Sequence, residues 1–213
     1  PIPRRTATVL STGITKVKHL YEKRNFSITT AIMDNEFEPL RAKLKEQKID
    51  LQTTAAGEHV PQIERRIPVI KERVQARRHT LPFEFIPKVM VMALVCHAVL
   101  WLNAFPPKGG VSATLPPRTI ITGDKFDYDK HCRIAIGAYA QVHVNDTNST
   151  LAARTHGAIC LGPVSNLQGS YHFMKLTTGR RIKANRWTEL PMSADVIARV
   201  NELGKLDGYS HFP

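Results

Sequence analysis

Two carboxylates occupy positions from which chemistry is possible. Asp34 closes an alternating stretch from Phe26 that ends in the apolar Ala31-Ile32-Met33, and Glu64 opens a run of cations, Glu64-Arg65-Arg66. An acid at a strand end and an acid on the first turn of a helix can offer oxygen ligands to a hard cation such as Mg2+ or Mn2+. Metal ions held by such carboxylates activate a nucleophile and stabilise the leaving oxygen in phosphoryl transfer. Spacing alone also fits a bland pattern: an Asp at a strand end, and a surface Glu paired with a neighbouring Arg.

Other reactive residues make weaker patterns. His131-Cys132 has no acid at a defined spacing to orient a dyad. Asp124, Asp127 and Asp129 alternate but lack the Gly and closing Glu of a calcium loop. His97, inside an apolar run, reads as a hydrogen-bonded core histidine. Cys96, Cys132 and Cys160 form no Cys-x-x-Cys pair, which argues against a structural zinc site. Three cysteines do not make a disulfide framework, and Pro1-Ile2-Pro3-Arg4-Arg5 lacks the apolar stretch of a signal peptide. An intracellular protein, nuclear or cytoplasmic and not secreted, is expected.

The charge balance points to a polyanion. Across 213 residues, 30 Lys+Arg against 18 Asp+Glu give a formal net charge of +12. Nucleic acid is the first partner such an excess implies and an anionic membrane surface the second. The run from Val89 to Phe105 contains His97 and Asn103 and sits at the short limit for a membrane span, so a buried helix is expected. Candidate phosphate-facing cations are Arg65, Arg66, Lys71, Arg73, Arg77 and Arg78 in one segment. Arg180, Arg181, Lys183 and Arg186 form a second set, beside Trp187 and Tyr171 as bases for stacking. A solvated helix face and a Lys/Arg-protected edge strand are the alternatives.

The elements that would position these residues follow from periodicity. Ile14, Val17 and Tyr21 predict a basic amphipathic helix over 12–24. Alternation from Phe26 predicts a strand ending at Asp34. Phe37, Leu40, Leu44 and Lys48 predict a helix, and 49–53 a short strand. Ile63, Ile67, Ile70 and Val74 form a helical stripe that runs to Arg78. The Pro/Gly-rich stretch 106–117 reads as a linker. Beyond Lys130 the period becomes two. Strands are expected at 134–142, 158–161, 171–176 and 181–187, an arrangement typical of a small barrel, with a loop at 144–152. A last helix is expected from Ser193, as cap, to Leu203, with Gly204 after its end.

Several phrases, in order, resemble the integrases of copia-type retroelements. Met33-Asp34-Asn35-Glu36-Phe37 is similar to the phrase around that family's second catalytic Asp. Glu58-His59-Val60-Pro61-Gln62-Ile63-Glu64-Arg65-Arg66 is similar to the segment holding its catalytic Glu. Thr80-Leu81-Pro82-Phe83, Trp101-Leu102-Asn103 and Pro117-Arg118-Thr119-Ile120-Ile121-Thr122-Gly123 follow. Gly137-Ala138-Tyr139-Ala140-Gln141-Val142-His143, Leu161-Gly162-Pro163, Gln168-Gly169-Ser170-Tyr171 and Asn185-Arg186-Trp187 resemble the small barrel after the core. The resemblance spans about residues 12 to 200.

The resemblance implies an α/β ribonuclease H-like fold, incomplete and lacking its first strands, followed by a small all-β barrel of the Src-homology-3 type. The implied domains are a partial core at 1–122, the barrel at 123–190, and a C-terminal helix and tail at 191–213. It implies Mg2+ or Mn2+ held by Asp34 and Glu64 as the second and third of three carboxylates. The implied partners are element and target DNA, with RNA as a further polyanion, in a homo-oligomer and without a membrane. No Asp precedes Asp34, so the strand carrying the first acid is expected upstream. Asn35 stands where the family has a small Gly, and Pro68 lies inside the Glu64 helix, removing a hydrogen bond to the Glu64 carbonyl. The expected function is nucleic-acid binding in an integrase-derived chain that is inactive in strand transfer by itself. The alternative is a non-enzymatic DNA- or RNA-binding or interaction protein.

Overall fold

The computed structural model describes residues 6–55, 60–143, 153–164 and 168–208. The loop expected at 144–152 and the Glu58-His59 part of the motif lie outside the described residues. The chain has mixed α/β content and divides into two compact units: 1–70 with 102–125, and 71–101 with 126–213.

In the first unit, helix α1 (Ala7–Glu22) begins earlier than the pattern from Thr12 predicts, because the Thr6 hydroxyl caps it by accepting from the Val9 N–H at 3.4 Å. Its inward face is Ala7, Leu10 and Ile14, while Val17 remains 49% exposed. Strand β1 (Thr30–Met33) leads into a 3-10 turn (Asn35–Leu40) and helix α2 (Arg41–Glu46). The single helix expected over 37–48 is therefore split. Pro39 lies in the tighter turn, and Lys48, at φ +59°, turns the chain after α2. Strand β2 (Asp50–Thr53) pairs parallel to β1, with Thr30 opposite Asp50 and Met33 opposite Thr53. Leu40, Leu44, Ile49 and Leu51 are buried against α1, β1 and Phe37. Arg41 ties the turn to β2: it pairs with Glu38 and donates to the Leu51 carbonyl at 2.6 Å.

Helix α3 (Pro61–His79) runs through Pro68 as one helix. Of its expected apolar stripe, Ile63 and Ile67 are 56% and 45% exposed, whereas Val74 packs onto a core. Helix α4 (Lys88–Ala104) is apolar almost all round, but the buried helix expected here is covered on one face only: Met90, Leu94 and Ala98 are buried, while Met92, Val95 and Val99 are exposed. Helix α5 (Pro117–Thr122) follows the Pro/Gly stretch, and the short α6 (Tyr128–His131) opens the β-rich part.

The second unit is built on a five-stranded antiparallel sheet of β3 (Tyr139–His143), β4 (Thr155–Pro163), β5 (Tyr171–Lys175), β6 (Arg181–Ala184) and β7 (Trp187–Glu189), in the order β6-β5-β4-β3-β7. The run expected as one strand over 181–187 is two strands, one at each edge, because the chain leaves the sheet at Asn185-Arg186. Ile134 and Ile136 are buried but precede β3 rather than belonging to it.

Both sheet faces are covered. Ile159, Leu161 and Met174 pack with Phe83, Ile86, Met90, Leu94, Val200 and Leu203, from the 83–86 segment, α4 and helix α7 (Ala194–Leu206). The opposite face holds Ala140, Ala158, Cys160, Tyr171 and Phe173. Small side chains on the central strands let Trp187 of β7 reach across to Tyr171 and Phe173 of β5, with ring centroids at 4.8 and 5.4 Å. A bulge between Cys160 and Gly162, with Gly162 at φ +105°, re-aims β4 so that Cys160 and Leu161 are both buried. Ser193 caps α7 as expected, accepting from the Val196 N–H. Gly204, expected beyond the helix end, lies inside α7 and is buried.

Candidate nucleic-acid interface

The cations of α3 divide into two groups. Arg65, Arg66, Lys71 and Arg73 are exposed, and none forms an ion pair among the described residues. Arg77 and Arg78 are half-buried and spend donors on the protein itself. Arg77 Nη2 donates to the Ile136 carbonyl at 3.1 Å, and Arg78 Nη2 donates to the Glu84 carbonyl at 2.7 Å. Arg65 and Arg66, on the part of α3 in the first unit, and Lys71 and Arg73, on the part in the second, each present exposed charge, which is what attraction of a phosphate backbone requires.

The second group lies at the β6 edge. Arg181 and Lys183 alternate with Ile182 and Ala184, which turn to the core with Trp187. Arg180 and Arg186, outside the strand, are exposed. Lys183 stands opposite His172, and Arg181 opposite Met174. His172 titrates below the ordinary histidine range, chiefly through burial and further through the charges of Arg181 and Lys183.

Tyr171 cannot be a base-stacking surface. It is fully buried, and its hydroxyl accepts from the Arg133 N–H at 2.9 Å. The cation that meets an aromatic ring here is one the sequence patterns leave out: the Arg133 guanidinium stands 4.5 Å from the centre of the Trp187 ring. Arg133 belongs to neither cationic cluster in the chain, and only the fold brings it onto Trp187.

Asp34 and Glu64 are both exposed. Asp34 ends β1 and precedes the 3-10 turn; its carbonyl accepts from the Phe37 N–H at 3.0 Å, while its carboxylate makes no capping bond. Glu64 is in the first turn of α3. Among the described residues there is no group of three His, Cys, Asp or Glu side chains that could hold a metal ion. Two carboxylates leave a hard cation short of protein ligands. Among the described residues, the two carboxylates do not by themselves make up a two-metal centre.

His97 is the hydrogen-bonded histidine the sequence indicates. The Trp101 indole N–H donates to its Nε2 at 3.0 Å. Burial, with the Arg77 charge acting in the same direction, pushes it down to about 4. Burial pushes the Cys160 thiol up to about 12, so it remains protonated and unreactive at neutral pH.

No family model matches this chain, and no curated protein matches it. Among solved structures, it is similar to one chain in a cryoEM structure of a simian T-cell lymphotropic virus intasome in complex with PP2A regulatory subunit B56 gamma. The identity is 10% and the TM-score 0.35, over 89% of this chain and 68% of that one. A likeness at that score carries neither a fold assignment nor an activity to this chain. No helix among the described residues is long and apolar enough to cross a membrane.

Proposed function

We propose that this chain binds nucleic acid as part of an integrase-derived protein of the copia type. On this reading residues 1–122 are a partial ribonuclease H-like core and residues 123–190 a barrel of the Src-homology-3 type. The ancestral reaction is the Mg2+- or Mn2+-dependent joining of element DNA to target DNA. The observation that carries the binding role is the free charge of Arg65, Arg66, Lys71 and Arg73 on one helix. The ordered sequence phrases around Asp34 and Glu64 support the ancestry. With two matching carboxylates, the isolated chain is expected not to join DNA ends; a strand-transfer assay with long-terminal-repeat ends and either cation tests this.

The binding role is tested by fluorescence anisotropy of labelled duplex DNA across a KCl series. Cations that displace condensed counterions make affinity fall steeply with salt. Replacing Arg65, Arg66, Lys71 and Arg73 together with Ala should flatten that dependence. Binding that ignores salt, or no binding, would leave the interaction-protein reading.

A further inference from the structure

We infer that Arg133, mounted on Trp187, is a stacking platform for an unpaired base of a DNA strand. The inference rests on the nucleic-acid reading and deepens it by naming a strand type and a contact residue.

Three observations carry it. First, the platform is fixed from below. Trp187 is half-buried and wedged against Tyr171 and Phe173, both fully buried. Second, Arg133 is fixed at both ends. Its backbone N–H donates to the Tyr171 hydroxyl at 2.9 Å, and its guanidinium lies 4.5 Å from the indole centre. Third, Arg133 is exposed and has no carboxylate partner among the described residues. The exposed Arg180 and Arg186 have no such ring contact among the described residues, whereas the Arg133 guanidinium stands over the Trp187 ring.

A guanidinium is planar, delocalised and weakly hydrated, so it stacks on an aromatic face and offers its second face to another ring. An unpaired base presents such a ring, and every base has one, so the contact is tolerant of sequence. Bases inside a duplex are already stacked and keep their faces covered. The remaining guanidinium N–H groups, with exposed Arg186 beside Trp187, can take the adjoining phosphate. The contact therefore favours single-stranded over duplex DNA, unlike the α3 cations, which contact backbone charge alone.

The test uses the whole chain and three labelled probes: an oligothymidylate strand about fifteen nucleotides long, the same strand with abasic residues, and a duplex of equal length. Arg133→Ala should weaken binding of the thymidylate strand about ten-fold and of the duplex by less than about two-fold. Arg133→Lys keeps the charge but loses the plane, and should match Arg133→Ala on the thymidylate strand. The wild-type chain should bind the abasic strand about ten-fold more weakly than the thymidylate strand, a gap that closes in Arg133→Ala. Wild-type affinity in Arg133→Lys, or equal binding of abasic and thymidylate strands by the wild type, overturns the platform. If duplex binding stays salt-dependent in that case, the binding role stands and the platform alone falls. If the wild type binds none of the probes, both fall together.

Discussion

Gly204 of α7 lies directly on the backbone of Phe85. A methyl group at Gly204 would stand 2.7 Å from the Phe85 carbonyl carbon, 2.8 Å from its oxygen and 2.9 Å from the Ile86 nitrogen. The neighbours are main chain, so no side-chain rotamer relieves the clash. Gly204→Ala, ordinarily favourable inside a helix, should here cost about 1–3 kcal/mol. Urea unfolding followed by circular dichroism checks it; a stabilised variant would mean that α7 does not dock this closely.

One turn away, Asn201 closes the same contact with hydrogen bonds. Its Oδ1 accepts from the N–H groups of Glu84 at 2.9 Å and Phe85 at 3.0 Å. Asn201→Ala leaves two amide donors without that acceptor and should destabilise by about 1–2 kcal/mol. Asn201→Asp keeps an oxygen in place and should lose much less. Equal losses in the two variants would assign the effect to packing rather than to the acceptor.

Much of the element order is legible in the sequence because it is local. Period two marks β3, β4 and β5, and Ser193 followed by Asp195 marks the start of α7. What escapes is tertiary. Gly204 looks like a helix stop, yet it is a contact point whose partner is the distant Phe85. Asn185-Arg186-Trp187 continues the β6 pattern without a break, and only the pairing of Trp187 with Val142 reveals a separate edge strand. The candidate interface divides in the same way. Arg73 and Arg77 are alike by type and spacing; the Ile136 carbonyl that occupies Arg77 lies in another segment. Arg133 carries no local signal at all. The metal-ligand reading of Asp34 and Glu64 rests on the words around them, since both are exposed and burial does not single them out.

The pH dependence of stability should carry the signature of buried histidines. His97 is pushed from an ordinary value of 6.5 down to about 4, chiefly by burial. In that window the unfolded chain binds a proton that the folded chain refuses, so unfolding gains as pH falls. The stabilisation is complete above pH 6.5 and lost progressively as pH falls towards 4. Protonation of Nε2 would also break the bond from Trp101. His172, lowered by burial and by Arg181 and Lys183, acts with the same sign. The urea midpoint should therefore decline between pH 7 and 4.5, and His97→Gln should make the decline shallower without removing it. An unchanged slope in His97→Gln would show that His97 titrates normally.

The separation of α3 cations into free and structural ones makes the sharpest contrast. Arg73 is exposed and unpaired among the described residues, so Arg73→Ala should leave stability within about 0.5 kcal/mol of wild type. It should reduce the slope of log affinity against log salt by about one, the loss of one displaced counterion. Arg77 is half-buried, and its guanidinium holds the Ile136 carbonyl at 3.1 Å. Arg77→Ala should therefore destabilise by about 1–2 kcal/mol while the salt slope stays unchanged. Arg77→Lys tests the same point, because a single ammonium cannot reproduce the guanidinium fork and should recover the charge without the full stability. Duplex anisotropy across a KCl series and urea unfolding of the three variants together decide it. Equal slope changes in Arg73→Ala and Arg77→Ala would place Arg77 on the DNA and not on the Ile136 carbonyl.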